Sequence, residues 1–136
     1  MTGMKTANTN RLETAPAIVR IAIVDAPTLL LESLVVALAL EPDFDVIWTA
    51  HQPADWYRKL ESHKPHVMIV DFDASHGTWP MIQRVRRTDP EIGILILTHN
   101  ASDAGVKQAL DLGASGYLLK SEPLQAVVDA LHAVID

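Results

Sequence analysis

Short runs of apolar residues alternate along the chain with longer segments of mixed, helix-like character. The apolar runs lack a clean alternation of polar and apolar residues, which predicts strands of a parallel sheet covered on both faces. The runs are Ile18–Val24, Phe44–Thr49, His66–Val70, Ile92–Leu97 and Gly116–Leu119. The segments between and after them predict helices at Thr28–Leu40, Ala54–Ser62, Pro80–Thr88, Ser102–Leu112 and Pro123–Ile135.

Five strand–helix units in this order predict an α/β fold. Four prolines fall between the predicted elements, namely Pro42, Pro53, Pro65 and Pro90, and support the boundaries. Right-handed crossovers then build a doubly wound (βα)5 sandwich of three layers. Residues 1–17 are polar and without period, so we expect a flexible N-terminal tail followed by one domain over residues 18–136.

Composition agrees with a globular domain and excludes several kinds of site. The 136 residues are 49% hydrophobic and 21% charged, and none is cysteine, which removes disulfides and thiolate chemistry. A net charge of −6 argues against nucleic-acid binding by this chain itself. No apolar run is long enough to span a bilayer and no signal peptide is evident, so a cytoplasmic location is the default expectation.

Polar side chains stand where four of the predicted strands end. The first strand is followed by Asp25, the third by Asp71, the fourth by Thr98 and the fifth by Lys120. In an open parallel sheet these ends meet at one edge, which is where such folds bind ligands. Strand-end Asp and Thr residues often only cap helices, but four functional groups at matching ends predict a site.

These strand ends lie in four motifs that resemble a two-component receiver domain of the NarL/FixJ type. The motifs are IAIVD, PHVMIVDFDAS, ILILTHN and LDLGASGYLLK, and the resemblance runs from about Ile18 to the C-terminus. It implies a flavodoxin-like, CheY-like fold with strand order 2-1-3-4-5.

The resemblance also implies a phosphoacceptor site. Asp71 would take a phosphoryl group from the phosphohistidine of a partner sensor kinase and form an acyl phosphate. Asp25 and the backbone carbonyl of Asp73 would be ligands of Mg²⁺. The domain would then be a phosphoacceptor rather than an enzyme, at most assisting its own phosphorylation and dephosphorylation.

Three further residues would read the phosphoryl group, again by resemblance. Lys120 would pair with its oxygens, and Thr98 would move in to hydrogen-bond it, followed inward by Tyr117. This paired motion would reshape the surface around the fourth helix, the fifth strand and the fifth helix.

One departure leaves two functions open. Receiver domains normally carry two adjacent acids after the first strand, and here the second position is Ala26, whose methyl group cannot bind Mg²⁺. The chain is therefore either a phosphorylated switch with a weakened metal site or a pseudo-receiver. The latter would be an interaction or ligand-sensing module that works without phosphorylation.

The first helix, TLLLESLVVALAL, is apolar nearly all round. We assign Leu30, Leu34 and Leu38 to its core face. A second stripe, formed by Leu31, Val35 and Ala39, predicts a homodimer or partner-helix interface.

Partners beyond the kinase follow only from the resemblance. Relatives of this type carry a C-terminal helix-turn-helix domain, and the 136 residues end on the fifth helix. DNA would thus be bound, as a dimer on paired half-sites, only through a domain that this chain does not include.

The remaining polar patterns favour ordinary surface roles. The basic run QRVRR, Gln83–Arg87, suits a solvated helix face. His63 and His66 lie on either side of a proline and do not form a zinc pair on one helix face. His99, next to Thr98, would tune access to the site or be a plain loop residue.

Overall fold

A computed structural model gives the structure of residues 17–24, 29–51, 53–71, 78–100 and 104–135. The strands are β1 Val19–Val24, β2 Phe44–Ala50, β3 Val67–Asp71, β4 Gly93–Thr98 and β5 Gly116–Leu119. The helices are α1 Leu29–Ala39, α2 Pro53–Ser62, α3 Thr78–Thr88, α4 Ala104–Asp111 and α5 Leu124–Ile135. All ten predicted elements are confirmed, each bound within about two residues. Residues 1–16 of the expected tail lie outside the described residues.

The five strands form one parallel sheet in the order β2-β1-β3-β4-β5, which confirms the predicted topology. β3 lies at the centre, with Val70 opposite Val24 of β1 and opposite Ile96 of β4. The reversal of strand order on either side of β1 places a crevice at the carboxyl ends of β1 and β3.

Both faces of the sheet are covered by apolar layers, as parallel strands require. One layer packs α2, α3 and α4 against the sheet and is built from residues such as Trp56, Ile82, Val85, Met68 and Ile96. The other packs α1 and α5 against the opposite face and includes Leu34, Leu38, Ile69, Val127 and Leu131. Neighbouring residues of β3 alternate between the layers, so the strand has no wet face.

The predicted faces of α1 are rotated in the structure. Leu31 joins Leu34 and Leu38 in the core with its side chain 5% exposed, while Leu30 packs against this core and is only partly buried. A stripe spaced strictly by four residues drifts around a helix of 3.6 residues per turn, whereas spacings of three and four stay on one face. The assignment of Leu31 to an outer interface stripe is therefore wrong.

The outer face of α1 is apolar at other positions. Leu29, Val36 and Leu40, at its start, middle and end, are 80%, 64% and 78% exposed. Of the predicted stripe, Val35 is half-buried against the core and Ala39 is exposed.

Arg86 of α3 ties three segments together at the amino-terminal edge of the sheet. Its guanidinium donates to the carbonyl oxygens of Ile92, before β4, and of Gly113, after α4. Gly113 follows the end of α4 and has a φ of +120°. Residues with a side chain rarely adopt this backbone conformation. Within the QRVRR run, then, Arg86 is a structural residue rather than part of a solvated face. Burial lowers the pKa of its guanidinium, against an opposing effect of Asp89 and Glu91.

Candidate functional site at the carboxyl edge of the sheet

Asp71 is the last residue of the central strand and is almost completely buried. The four residues before it, Val67 to Val70, are apolar and buried between the two layers, which fixes the end of β3 inside the fold. Asp71 itself is 3% exposed. A carboxylate at this depth needs a compensating charge or hydrogen bonds.

Lys120 provides that charge. Its Nζ lies 2.6 Å from Oδ1 of Asp71, and the two side chains are 12% and 4% exposed. The residue directly follows β5, two strands away from β3, so the long lysine side chain reaches across the end of β4. The predicted convergence of Asp71 and Lys120 on one edge of the sheet is present in the structure.

Thr98 lies between them at the end of β4 and is fully buried. Its carbonyl oxygen accepts a hydrogen bond from the backbone N–H of Lys120 at 2.8 Å, which fixes where the lysine leaves β5. Its Oγ1 accepts a hydrogen bond from the N–H of Asn100 at 3.2 Å. Thr98 thus links the lysine-bearing turn to the loop after β4.

Tyr117 stands apart from this group. It belongs to β5, opposite Ile96 of β4, and is 42% exposed. Its ring faces solvent in this structure while the hydroxyl group of Thr98 is buried. The resemblance predicts that Thr98 and Tyr117 move together. In this structure Thr98 is buried and Tyr117 is exposed.

The remaining predicted site residues, Asp25, Ala26 and Asp73, lie outside the described residues. Within the described segments, no group of three or more His, Asp or Glu side chains is placed to hold a metal ion. Asp71 supplies one carboxylate to any such site, and its oxygen suits a hard cation such as Mg²⁺.

The described groups form a nucleophile with its counter-charge. An ammonium group next to a buried carboxylate favours the ionised form of that carboxylate. An electrophile that carries negative charge, such as a phosphoryl group, would meet the positive Lys120 at the same place.

Comparison with known proteins gives this arrangement a family. The sequence profile of the response regulator receiver domain matches residues 21–132. The chain belongs to this family. This receiver domain is 29% identical over 121 residues to the transcriptional regulatory protein DegU of Brevibacillus brevis. The match covers 85% of this chain and 50% of DegU. It is 30% identical over 117 residues to the oxygen regulatory protein NreC of Staphylococcus haemolyticus, across 85% of this chain and 54% of NreC.

Solved structures place the receiver domain in the NarL/FixJ type. It superposes on the signal receiver domain of the response regulator NarL from Mycobacterium tuberculosis with a TM-score of 0.78 and 28% identity, over 88% of this chain and 98% of that one. The predicted family and fold are confirmed. The receiver domain spans about half the length of DegU and NreC.

The family defines the general role of the domain. Receiver domains act in two-component systems, are not enzymes in the ordinary sense, and generally bind Mg²⁺ at their phosphorylation site. In LuxR-family regulators they work with histidine kinases and DNA-binding output domains. Within the described segments, no helix is long and apolar enough to cross a membrane.

Sequence patterns did not reveal the structural roles of two residues at the opposite, amino-terminal edge. Arg86 and His66 hold the loops there by hydrogen bonds to distant parts of the backbone. No local signal marks either residue, because the partners lie 27 and 46 positions away.

Proposed function

We propose that this receiver domain accepts a phosphoryl group on Asp71 from the phosphohistidine of a sensor kinase and passes the signal on through Thr98 and Tyr117. The observation that carries the proposal is the buried ion pair of 2.6 Å between Asp71 and Lys120 at the carboxyl edge of the central strand. A chain that had lost the reaction would have little reason to bury this pair, since apolar residues of similar size are often equally stable there.

In the proposed reaction the phosphoryl group moves from the imidazole nitrogen of the kinase to a carboxylate oxygen of Asp71. A carboxylate oxygen attacks phosphorus, the phosphorus–nitrogen bond breaks, and its electron pair stays on the imidazole of the kinase. The acyl phosphate then carries the negative charge that Asp71 carried before. Lys120 would follow this charge from the carboxylate to the phosphoryl oxygens, a short movement for a lysine side chain.

Thr98 and Tyr117 supply the read-out. The Thr98 hydroxyl is buried next to the end of β3 and would donate to a phosphoryl oxygen. Movement of the Thr98 hydroxyl toward the phosphoryl group would vacate space next to β4. The Tyr117 ring would then turn into that space from its exposed position. The surface formed by α4, β5 and α5 would change accordingly.

The oxygen donors expected in the sequence fit Mg²⁺, with one ligand fewer than usual. Asp25, Asp71 and the carbonyl of Asp73 would hold the ion, which supplies charge neutralisation during phosphoryl transfer. Ala26 replaces a carboxylate and so removes one negative charge from the site. Unit charges about 4 Å apart interact by roughly 4 kcal/mol at an effective dielectric constant of about 20, so the affinity for Mg²⁺ would be lowered.

Incubation with a small phosphodonor such as acetyl phosphate tests the proposal. We expect one phosphoryl group per chain by intact mass, dependent on Mg²⁺ and absent in the Asp71→Asn variant. Ala26→Asp would lower the Mg²⁺ concentration needed by about tenfold or more, because it restores a carboxylate ligand. The absence of labelling at Asp71 in saturating Mg²⁺ would remove the proposal.

Ala26 favours a second candidate, the pseudo-receiver. In that case the fold serves as an interaction or ligand-sensing module, and the Asp71–Lys120 pair only stabilises it. The same experiment separates the two, because the pseudo-receiver stays unlabelled under all conditions and its partner binding is indifferent to Asp71→Asn.

We also propose that the domain forms a homodimer through the outer face of α1. A shallow groove of about 430 Å³ runs between this face and the start of α5, lined by Val36, Leu40 and Leu124 among others. The only charged residue of α1 is Glu32. Two copies can therefore approach through this face with little repulsion, in a symmetric contact of like surfaces. Polar solvent-facing residues would be expected on α1 if it stayed exposed.

A further inference from the structure

His66 joins three strands at the edge of the sheet opposite to the phosphoacceptor site. It immediately precedes β3, and its backbone N–H donates to the carbonyl of Arg20 in β1 at 2.8 Å. Its own carbonyl accepts from the N–H of Gly93 in β4 at 2.9 Å. The residue thus extends the hydrogen bonding of the central strand to both of its neighbours.

The imidazole adds a third hydrogen bond to this junction. Its Nδ1 accepts the backbone N–H of Arg20 at 2.8 Å. Both backbone groups of Arg20 are therefore bonded to His66: the carbonyl accepts from the His66 backbone N–H, and the N–H donates to the His66 side chain. An imidazole nitrogen accepts only when it carries no proton, so the proton of the neutral ring lies on Nε2.

We propose that His66 is a pH-sensitive latch between the amino-terminal ends of β1 and β3, which loosens when the ring is protonated. A second proton on Nδ1 would turn the acceptor into a donor facing the N–H of Arg20. Two donors cannot share a hydrogen bond, so the Arg20 N–H would lose its partner, and only the backbone hydrogen bonds would hold the junction.

The imidazole of His66 lies at a cavity that is open to solvent. His66 lines a cavity of about 370 Å³ at this edge, together with Arg86, Asp89, Glu91 and Ser115. The cavity makes the ring accessible from solvent.

The charged groups around the ring come from three elements. Arg20 of β1 lies against it and adds a positive charge. Lys64, just before it, is directed toward Asp89 at 3.7 Å. Asp89 and Glu91 follow α3, which also brings Arg86 to the cavity wall. The part of α5 at the cavity, Val134 and Ile135, is apolar.

Burial, and then the charge of Arg20, lower the pKa of His66 below its ordinary value of 6.5. The unfolded chain therefore binds more protons than the folded chain between these two pKa values. The latch contributes its full stability above pH 6.5 and loses it as the pH falls toward the folded pKa.

Urea unfolding between about pH 7.5 and about pH 5 tests the latch. The variant His66→Asn keeps an acceptor near the position of Nδ1 but cannot titrate. We expect the folded-to-unfolded ratio of the unsubstituted protein to fall, relative to that of His66→Asn, by up to about tenfold for each unit by which the folded pKa lies below 6.5. His63→Asn removes an exposed histidine three positions away and should keep the pH dependence of the unsubstituted protein.

Nuclear magnetic resonance gives a second read-out that does not depend on unfolding. The amide signal of Arg20 should move in a titration that shares its midpoint with the His66 ring, below the ordinary histidine pKa of 6.5. If His66→Asn has the same pH dependence of unfolding as the unsubstituted protein, or the Arg20 amide does not follow the ring, the latch is overturned.

Discussion

Asp71 and Lys120 depend on each other because both are withdrawn from water. The carboxylate is more deeply buried than the ammonium group, so it has more to lose if the pair is broken. Removing one member of a buried pair typically costs 3–5 kcal/mol, while removing both costs much less. The pair that would perform phosphoryl transfer is therefore also a determinant of stability.

A double-mutant cycle at this pair measures the dependence. Lys120→Met should lower the free energy of unfolding by about 3 kcal/mol at neutral pH, because it removes the ammonium group that lies 2.6 Å from the buried Asp71 carboxylate. Adding Asp71→Asn to that variant should recover much of the loss. Equal stability of Lys120→Met and the unsubstituted protein in urea unfolding would show that the carboxylate is satisfied by other groups.

The helices reveal what patterns of residues can and cannot predict. The bounds of the elements could be predicted from apolar runs and from prolines between the elements, because both signals depend only on neighbouring residues in the sequence. The core face of α1 did not follow, since this helix is apolar nearly all round and Leu30 and Leu31 are equally suitable in sequence. The structure selects Leu31 because the spacing 31, 34, 38 keeps to one side of the helix.

The turn after α4 offers a second test at this scale. Gly113→Ala should reduce stability by about 1–3 kcal/mol, since φ is +120° there. A Cβ would also lie 2.8 Å from Nε of Arg86. Gly116→Ala is the matched control, because its nearest neighbour would be Leu95 Cδ1 at 3.9 Å. Thermal unfolding of the two variants should separate them, and equal midpoints would contradict the role given to Gly113.

On the scale of the whole molecule, the domain has two chemically different ends and one unusual side. The carboxyl edge carries the Asp71–Lys120 pair of the proposed phosphoacceptor site, the amino-terminal edge carries the proposed latch, and the outer face of α1 is apolar. The strand-end residues of the first of these could be predicted from sequence because parallel strands bring their ends together. The latch could not, since it joins His66 to a residue 46 positions earlier.

The apolar side predicts self-association. Val36→Glu with Leu40→Glu should convert a dimer into a monomer without unfolding it, because both side chains are exposed. Light scattering measures the molar mass. Gln83→Glu with Gln108→Glu adds the same charge to exposed positions of α3 and α4 and should leave the dimer intact. A monomeric unsubstituted protein would contradict the proposed interface.

The sheet also divides the aromatic residues of the domain unequally. Trp48 and Trp56 are both buried in the layer of α2, α3 and α4, while Phe44 and His132 are stacked on the other side with ring centroids 4.9 Å apart. In a Trp79→Phe variant, the emission of these two indoles therefore reports on one layer and is insensitive to α1 and α5. A dye placed on α5 would supply the missing signal, and the two traces together would reveal whether the layers melt as one.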